Sequence, residues 1–142
     1  MFENPHNLGM ITPPWLHFRV TSATQHTVTN GLLIDYTFRW LGLPLRWKTC
    51  ITVYDPPFEF VDEALRSPYV YWRHRHTFTV VPGGTLVKDT VDYQLPWGPL
   101  GQLAHAMAVR RNLIGIFTYR QKALDAHWGG GSVIRYPTVQ PR

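Results

Sequence analysis

The sequence is poor in the features that define several large classes of protein. It has a single cysteine, Cys50, so no internal disulfide can form and a cytoplasmic location is the expectation. No apolar run reaches the roughly 18 residues that a membrane-spanning helix needs. Residues 1–10 also lack the basic patch and apolar stretch of a secretory signal. We therefore predict a cytoplasmic protein.

Strong signals for nucleic-acid binding and for familiar catalytic chemistry are missing as well. The net charge is +5 and the pI is near 9.7, which permits an acidic partner. The basic residues form no run or recognition motif, so we predict no nucleic-acid binding. No GxSxG motif occurs, and "GGT" at 83–85 is typical of a hairpin turn rather than a phosphate loop. We expect no cofactor.

What the chain does contain is a series of extended segments. Its 142 residues fit one domain, and 14% of them are aromatic. Turn residues, such as Pro56-Pro57 and Pro82-Gly83-Gly84, separate the segments. Since the loops are short, successive strands should pair antiparallel. The six predicted strands cover residues 17–24, 31–40, 44–54, 58–65, 70–80 and 85–95.

The pattern changes to helical spacing after the strands. Apolar residues recur every three or four positions from Pro99 to about His127, and Gly129-Gly130-Gly131 ends the helix. The apolar stripe is predicted to contain Leu103, Met107, Ile114, Phe117 and Leu124. A sheet followed by one long helix predicts an α+β fold, in which the helix buries this stripe on the sheet. Residues 129–142 are predicted to form a flexible tail.

The stretch "VYWRHRHTF" at 70–78 has two chemically different faces. Strand alternation places His74 and His76 on the inner face and Arg73 and Arg75 on the outer face. If Val80 pairs with Thr85, then His76 lies opposite Asp89. A tighter turn would make these two residues diagonal neighbours.

The inner face is predicted to form an apolar pocket with a small polar cluster, which suits a small amphipathic ligand. Asp62 is a further possible member of the cluster. The predicted ligand-binding residues are Tyr36, Phe38, Phe60, Trp72, His74, His76, Phe78, Asp89, Tyr93, Met107 and Phe117.

Three blocks of the chain resemble the SRPBCC superfamily of START-like, helix-grip proteins. They are "PPFEFVDEALRSPYVYWRHRHTF", "GGTLVKDTVDYQLPWGPLG" and "RRNLIGIFTYRQKAL". The likeness spans residues 13–124 and is greatest to the cyclase/dehydrase-like or coenzyme-Q-binding-like branch. It implies a curved antiparallel sheet, here of six strands, around one long C-terminal helix. It also implies an apolar cavity for a lipid, a quinone or a polyketide.

Residues 1–128 would then be a single START-like ligand-binding domain. The resemblance also implies that the first strand and most of the first helical region of the family are missing, so that either Met1 is not the true start or this is a truncated form. A sheet without that strand exposes strand edges, through which a dimer could form.

Binding or carriage of a small hydrophobic or amphipathic molecule is therefore the predicted function. The alternative is a cyclase or dehydratase that uses His76 and Asp89 for proton transfer. A metal site would need His74 and His76 together with Asp89 or Asp62, and we predict none, since zinc requires three or four converging ligands. Basic residues on the outer face leave open a transient contact with a membrane surface.

Overall fold

The fold is a single, mostly antiparallel sheet with one long helix. The computed structural model describes residues 4–40, 42–96, 98–128 and 138–141, and gives only the backbone of 99–107, 128 and 138–141. The spatial order of the strands follows the chain. The strands are β1 (Arg19–Ala23), β2 (Leu33–Trp40), β3 (Leu43–Asp55), β4 (Glu59–Arg66), β5 (Tyr71–Val81), β6 (Gly84–Gln94) and β7 (Thr138–Pro141).

All six predicted strands are present, and the β5–β6 hairpin has the first of the two registers that the sequence left open. Val80 lies opposite Thr85 and His76 lies opposite Asp89. A two-residue turn, Pro82-Gly83, sets this register. Gly83 has a φ of +85°, which suits the second central position of a turn that begins with proline.

The helix α1 (Gly98–Trp128) packs on the sheet through one buried stripe. Val109, Leu113 and Phe117 are buried, and they form one core cluster with Val91 and Tyr93 of β6. One predicted stripe residue was wrong: Ile114 is 37% exposed, because the buried positions run through its neighbour Leu113 instead. The side chains of Leu103 and Met107 lie outside the described part.

A second core cluster lies under the first half of the sheet. It contains buried side chains from β2, β3 and β4, including Ile34, Ile51 and Phe60. The chain before β1 folds into two 3₁₀ helices, Pro5–Ile11 and Pro14–Leu16. Ile11 in the first of these helices is fully buried.

The edges of the sheet are formed by β1 and β7. The short strand β7 lies within the segment predicted to be a flexible tail, and it pairs parallel with β6 along Thr90–Tyr93. Residues 129–137 and 142 of that segment lie outside the described chain. The arrangement of strands and helix is α+β and is compatible with a helix-grip fold. Across the described residues, no helix combines the length and apolarity needed to cross a membrane.

Candidate functional site

A cavity of about 290 Å³ lies between the sheet and the helix. Most of its wall is apolar and comes from β2, β3, β5 and α1. The N-terminal 3₁₀ helices contribute Leu8, Ile11 and Leu16. Its polar groups include Thr49, Asp62, His74, His76, Asn112 and Arg120. An apolar space with a few polar groups is the usual form of a small-molecule site.

Three adjacent strands bring together a polar tetrad of Asp62, His74, His76 and Asp89. Asp62 on β4 lies opposite His74 on β5, and Asp89 on β6 lies opposite His76. Each carboxylate is therefore directly across from one histidine and diagonal to the other. Cross-strand and diagonal neighbours are both within reach of such side chains. Alternation along the strands thus suffices to build the tetrad.

The two carboxylates contact all four ring nitrogens. Asp62 Oδ2 lies 3.5 Å from His74 Nδ1 and 3.1 Å from His76 Nε2. Asp89 Oδ1 lies 3.3 Å from His74 Nε2 and 2.6 Å from His76 Nδ1. His74 and His76 are only 6% and 3% exposed. The tetrad consequently pairs two buried histidines with two carboxylates.

The tetrad shifts the pKa values of the two histidines in opposite directions. Burial lowers the pKa of His74, and the neighbouring charge of His76 lowers it further, so the net pKa lies below 6.5. Burial also acts to lower the pKa of His76, but the charge of Asp89 and hydrogen bonds to both carboxylates raise it above 6.5. His76 is therefore the ring that holds a proton more firmly.

The same contacts keep both carboxyl groups ionised. Burial would raise the pKa of Asp62, but the charge of His74 and the contacts with His76 outweigh burial and lower it. The pKa of Asp89 is lowered well below 3.8, since the charge of His76 and hydrogen bonds from both rings again exceed the effect of burial. A protonated His76 between two carboxylates is the charge state that this geometry favours.

Arg120 on α1 brings a further cation to the cavity. Its Nε is buried and has no hydrogen-bond partner among the described residues, while its guanidinium carbon lies 5.2 Å from the centre of the Phe117 ring. Burial, followed by the charge of Asp62, raises the pKa of Tyr36. A hydrogen bond with Thr49 and the charge of Arg120 oppose that rise. Tyr36 is thus a neutral hydroxyl.

Aromatic rings surround the rest of the cavity. Trp47 and Trp72 meet edge to face with ring centres 5.2 Å apart, and Tyr69 contacts both. On the other side, the rings of Phe60 and His76 stack at 4.0 Å. Such a wall favours a ligand with apolar or aromatic surface.

The predicted ligand-binding residues divide into two groups by position. Tyr36, Phe38, Phe60, Trp72, His74, His76 and Phe117 line the cavity. Phe78, Asp89 and Tyr93 lie outside the wall: Phe78 stacks on Phe60, Tyr93 is a core residue, and Asp89 lies against the two histidines. The side chain of Met107 lies outside the described part.

Sequence reasoning missed Trp47, Tyr69 and Arg120 as wall residues. Arg120 could have been found, because it follows Phe117 by three positions and Leu113 by seven, and so shares their helix face. Trp47 lies on the same face of β3 as Thr49 and Ile51, which alternation would also have indicated.

The arginines of β5 lie on the outer face, as predicted. Arg73 Nε donates to Glu63 Oε1 at 3.1 Å, and Arg75 Nε donates to Glu59 Oε2 at 2.7 Å. Both acceptors belong to the neighbouring strand β4. These basic residues therefore form cross-strand ion pairs rather than a row of unpaired cations.

A metal ion is geometrically conceivable at the tetrad. Asp62, His74 and His76 each offer one ligand atom, and these atoms lie within 4.8 Å of one another. However, every ring nitrogen already has a carboxylate oxygen within 3.5 Å. Each ring nitrogen thus already faces a carboxylate oxygen. Comparison of the chain with protein-family models and with curated proteins finds no match.

Proposed function

We propose that this protein binds or carries a small hydrophobic or amphipathic molecule in the cavity between the sheet and α1, as START-like proteins do. The observation that carries the proposal is the cavity itself: about 290 Å³, mostly apolar, with Asp62, His74 and His76 of the polar tetrad in its wall. A lipid, a quinone or a polyketide-like compound has the matching chemistry. No described side chain is placed to fill this space.

The size of the cavity restricts the ligand. It lies at the low end of the roughly 300–1,000 Å³ typical of ligand pockets. Trp47, Trp72 and Tyr36 offer ring faces and edges, which favour a compact, partly aromatic molecule over a long lipid chain. We therefore expect a molecule of a few rings or a short chain.

The enzymatic alternative, a cyclase or dehydratase that uses His76 and Asp89, has less support. A general base needs a ring nitrogen that can reach the substrate. Both nitrogens of His76 are engaged, Nδ1 with Asp89 and Nε2 with Asp62. Catalysis would first require one of these contacts to break, whereas binding requires no such change.

The proposal is tested by filling the cavity. Ile116 lines it and Ile114, two residues away on α1, does not. Binding of the neutral dye N-phenylnaphthylamine, followed by its fluorescence, should be lost in Ile116→Trp and kept in Ile114→Trp. Native mass spectrometry of the purified protein should in parallel reveal a co-purified small molecule.

The outcomes are distinct. Dye binding that is lost only in Ile116→Trp supports a ligand cavity. Equal dye binding by all three proteins would place the dye elsewhere. No dye binding, together with no co-purified molecule, would overturn the proposed function.

A further inference from the structure

We propose that the ligand of this cavity carries an anionic group, a carboxylate, and that Arg120 binds it. This inference rests on the proposed function and names the chemical class of the ligand. Among the described residues of the cavity wall, Arg120 is the one cationic side chain that has no anionic group in direct contact.

The Nε of Arg120 is a donor without an acceptor among the described residues. It lines the cavity, its Nε is buried, and no described residue accepts a hydrogen bond from that nitrogen. No ion pair within 4.0 Å joins it to a described carboxylate. A buried donor that lacks an acceptor is costly, by roughly the desolvation penalty of the group. A ligand oxygen would remove that cost.

The nearest charged group does not fill this role, because it is already engaged. Asp62 interacts with Arg120 only through the electrostatic field, since its Oδ2 faces His74 and His76 at 3.5 and 3.1 Å. Within the tetrad, the two carboxylates have the two histidines as partners. Arg120 is not a member of these ion pairs, and its charge lies at the cavity wall.

The chemistry of the guanidinium selects the anion. Its planar fork matches the two oxygens of a carboxylate, and charge-assisted hydrogen bonds are stronger than neutral ones. The surrounding wall is apolar and aromatic, so the rest of the ligand should be apolar. An aromatic or short aliphatic carboxylic acid has both parts.

The test compares two probes of nearly identical shape, naphthoic acid and naphthamide, by titration calorimetry. At neutral pH the wild type should bind naphthoate at least about tenfold more tightly than naphthamide, as expected for a charge-assisted hydrogen bond. Arg120→Gln should weaken naphthoate binding by about tenfold and leave naphthamide binding unchanged. Arg111→Gln, an exposed position on the same helix, is the matched control and should change neither.

A second variant and a chelator serve as controls. Arg120→Lys keeps the charge but loses Nε and the planar fork, and should recover only part of the affinity for naphthoate. It also decides the question if circular dichroism shows that Arg120→Gln does not fold. Prior treatment with EDTA should leave naphthoate binding unchanged, and a loss would point to a metal at the tetrad and overturn the role of Arg120.

Failure of this inference differs from failure of the proposed function. Equal affinity for naphthoate and naphthamide, with normal binding of the neutral dye, would overturn the anionic ligand and leave the cavity function intact. An Arg120→Gln variant that keeps full preference for naphthoate would also overturn it. If neither naphthalene probe nor the dye binds, both proposals fall.

Discussion

Two histidines only two positions apart on β5 differ in their affinity for a proton. Both are buried and both contact the same two carboxylates. The closest contact, 2.6 Å from Asp89 to His76, makes the difference. Once His76 is protonated, its charge opposes protonation of His74. The two rings therefore titrate as a coupled pair that binds its first proton more tightly than its second.

The order of titration is the first prediction. His76 should lose its proton above pH 6.5 and His74 below it, because their pKa values are shifted in opposite directions. Long-range proton–nitrogen NMR of the imidazole rings measures both titrations. A shared midpoint, or the reverse order, would contradict the proposed charge state.

The contact between His76 and Asp89 should also contribute to stability. Asp89→Asn leaves a buried protonated ring without its nearest carboxylate, so we expect a loss of about 3 kcal/mol at neutral pH. Asp92→Asn, on the outer face of the same strand, should cost less than about 0.5 kcal/mol. Urea unfolding of the three proteins gives both values.

The difference in stability between wild type and Asp89→Asn should depend on pH, because folding raises the pKa of His76 and lowers that of Asp89. The raised pKa of His76 means that its contribution is complete below pH 6.5 and is lost as pH rises through the folded value. The lowered pKa of Asp89 means that its contribution is present above pH 3.8 and is lost as pH falls through the folded value. The stability gap between wild type and Asp89→Asn should therefore narrow at both acidic and alkaline pH. A gap that is constant with pH would indicate a packing effect instead.

At the scale of elements, the sheet was more predictable than the helix contacts. Strand alternation and the Pro82-Gly83 turn fix which residues share a face, so the positions of His74, His76 and Asp89 followed from local rules. The face of α1 that packs on the sheet was less predictable, since apolar residues occur at neighbouring positions such as Leu113 and Ile114. Only packing against β6 decides between them.

This choice of face is tested by a pair of substitutions. Phe117→Ala should lower stability by about 3 kcal/mol, because Phe117 is buried in the core cluster. Ile114→Ala should cost well under about 1 kcal/mol, because its side chain is exposed. Thermal or urea unfolding of both variants measures the difference. Equal losses would mean that α1 presents another face to the sheet.

At the scale of the whole molecule, two separate core clusters leave a space between them. One holds α1 against β6, and the other packs beneath β2, β3 and β4. An apolar pocket was predicted on the inner face, but the residues alone did not decide whether it stays open, since the same aromatic row could have formed a closed core. The role that we propose for Arg120 was not predictable either, because it depends on what lies across the cavity. Tertiary packing, rather than local propensity, sets both.

An occupied cavity should make the whole domain more stable. Naphthoate at roughly a hundred times its Kd should stabilise the fold by about 2.7 kcal/mol. For a domain of this size that is a rise in Tm of roughly 5–10 °C. Ile116→Trp, in which the space is filled, should show almost no rise. A rise of equal size in both proteins would mean that naphthoate binds outside the cavity.

The positions of the tryptophans have a practical consequence. Trp40, Trp47 and Trp72, three of the six in the sequence, line the cavity, whereas Trp15 is 56% exposed. The wavelength and intensity of indole emission change when an aromatic molecule replaces water beside the ring. The protein thus contains its own optical reporter of occupancy, and its unlabelled emission can screen compound collections directly.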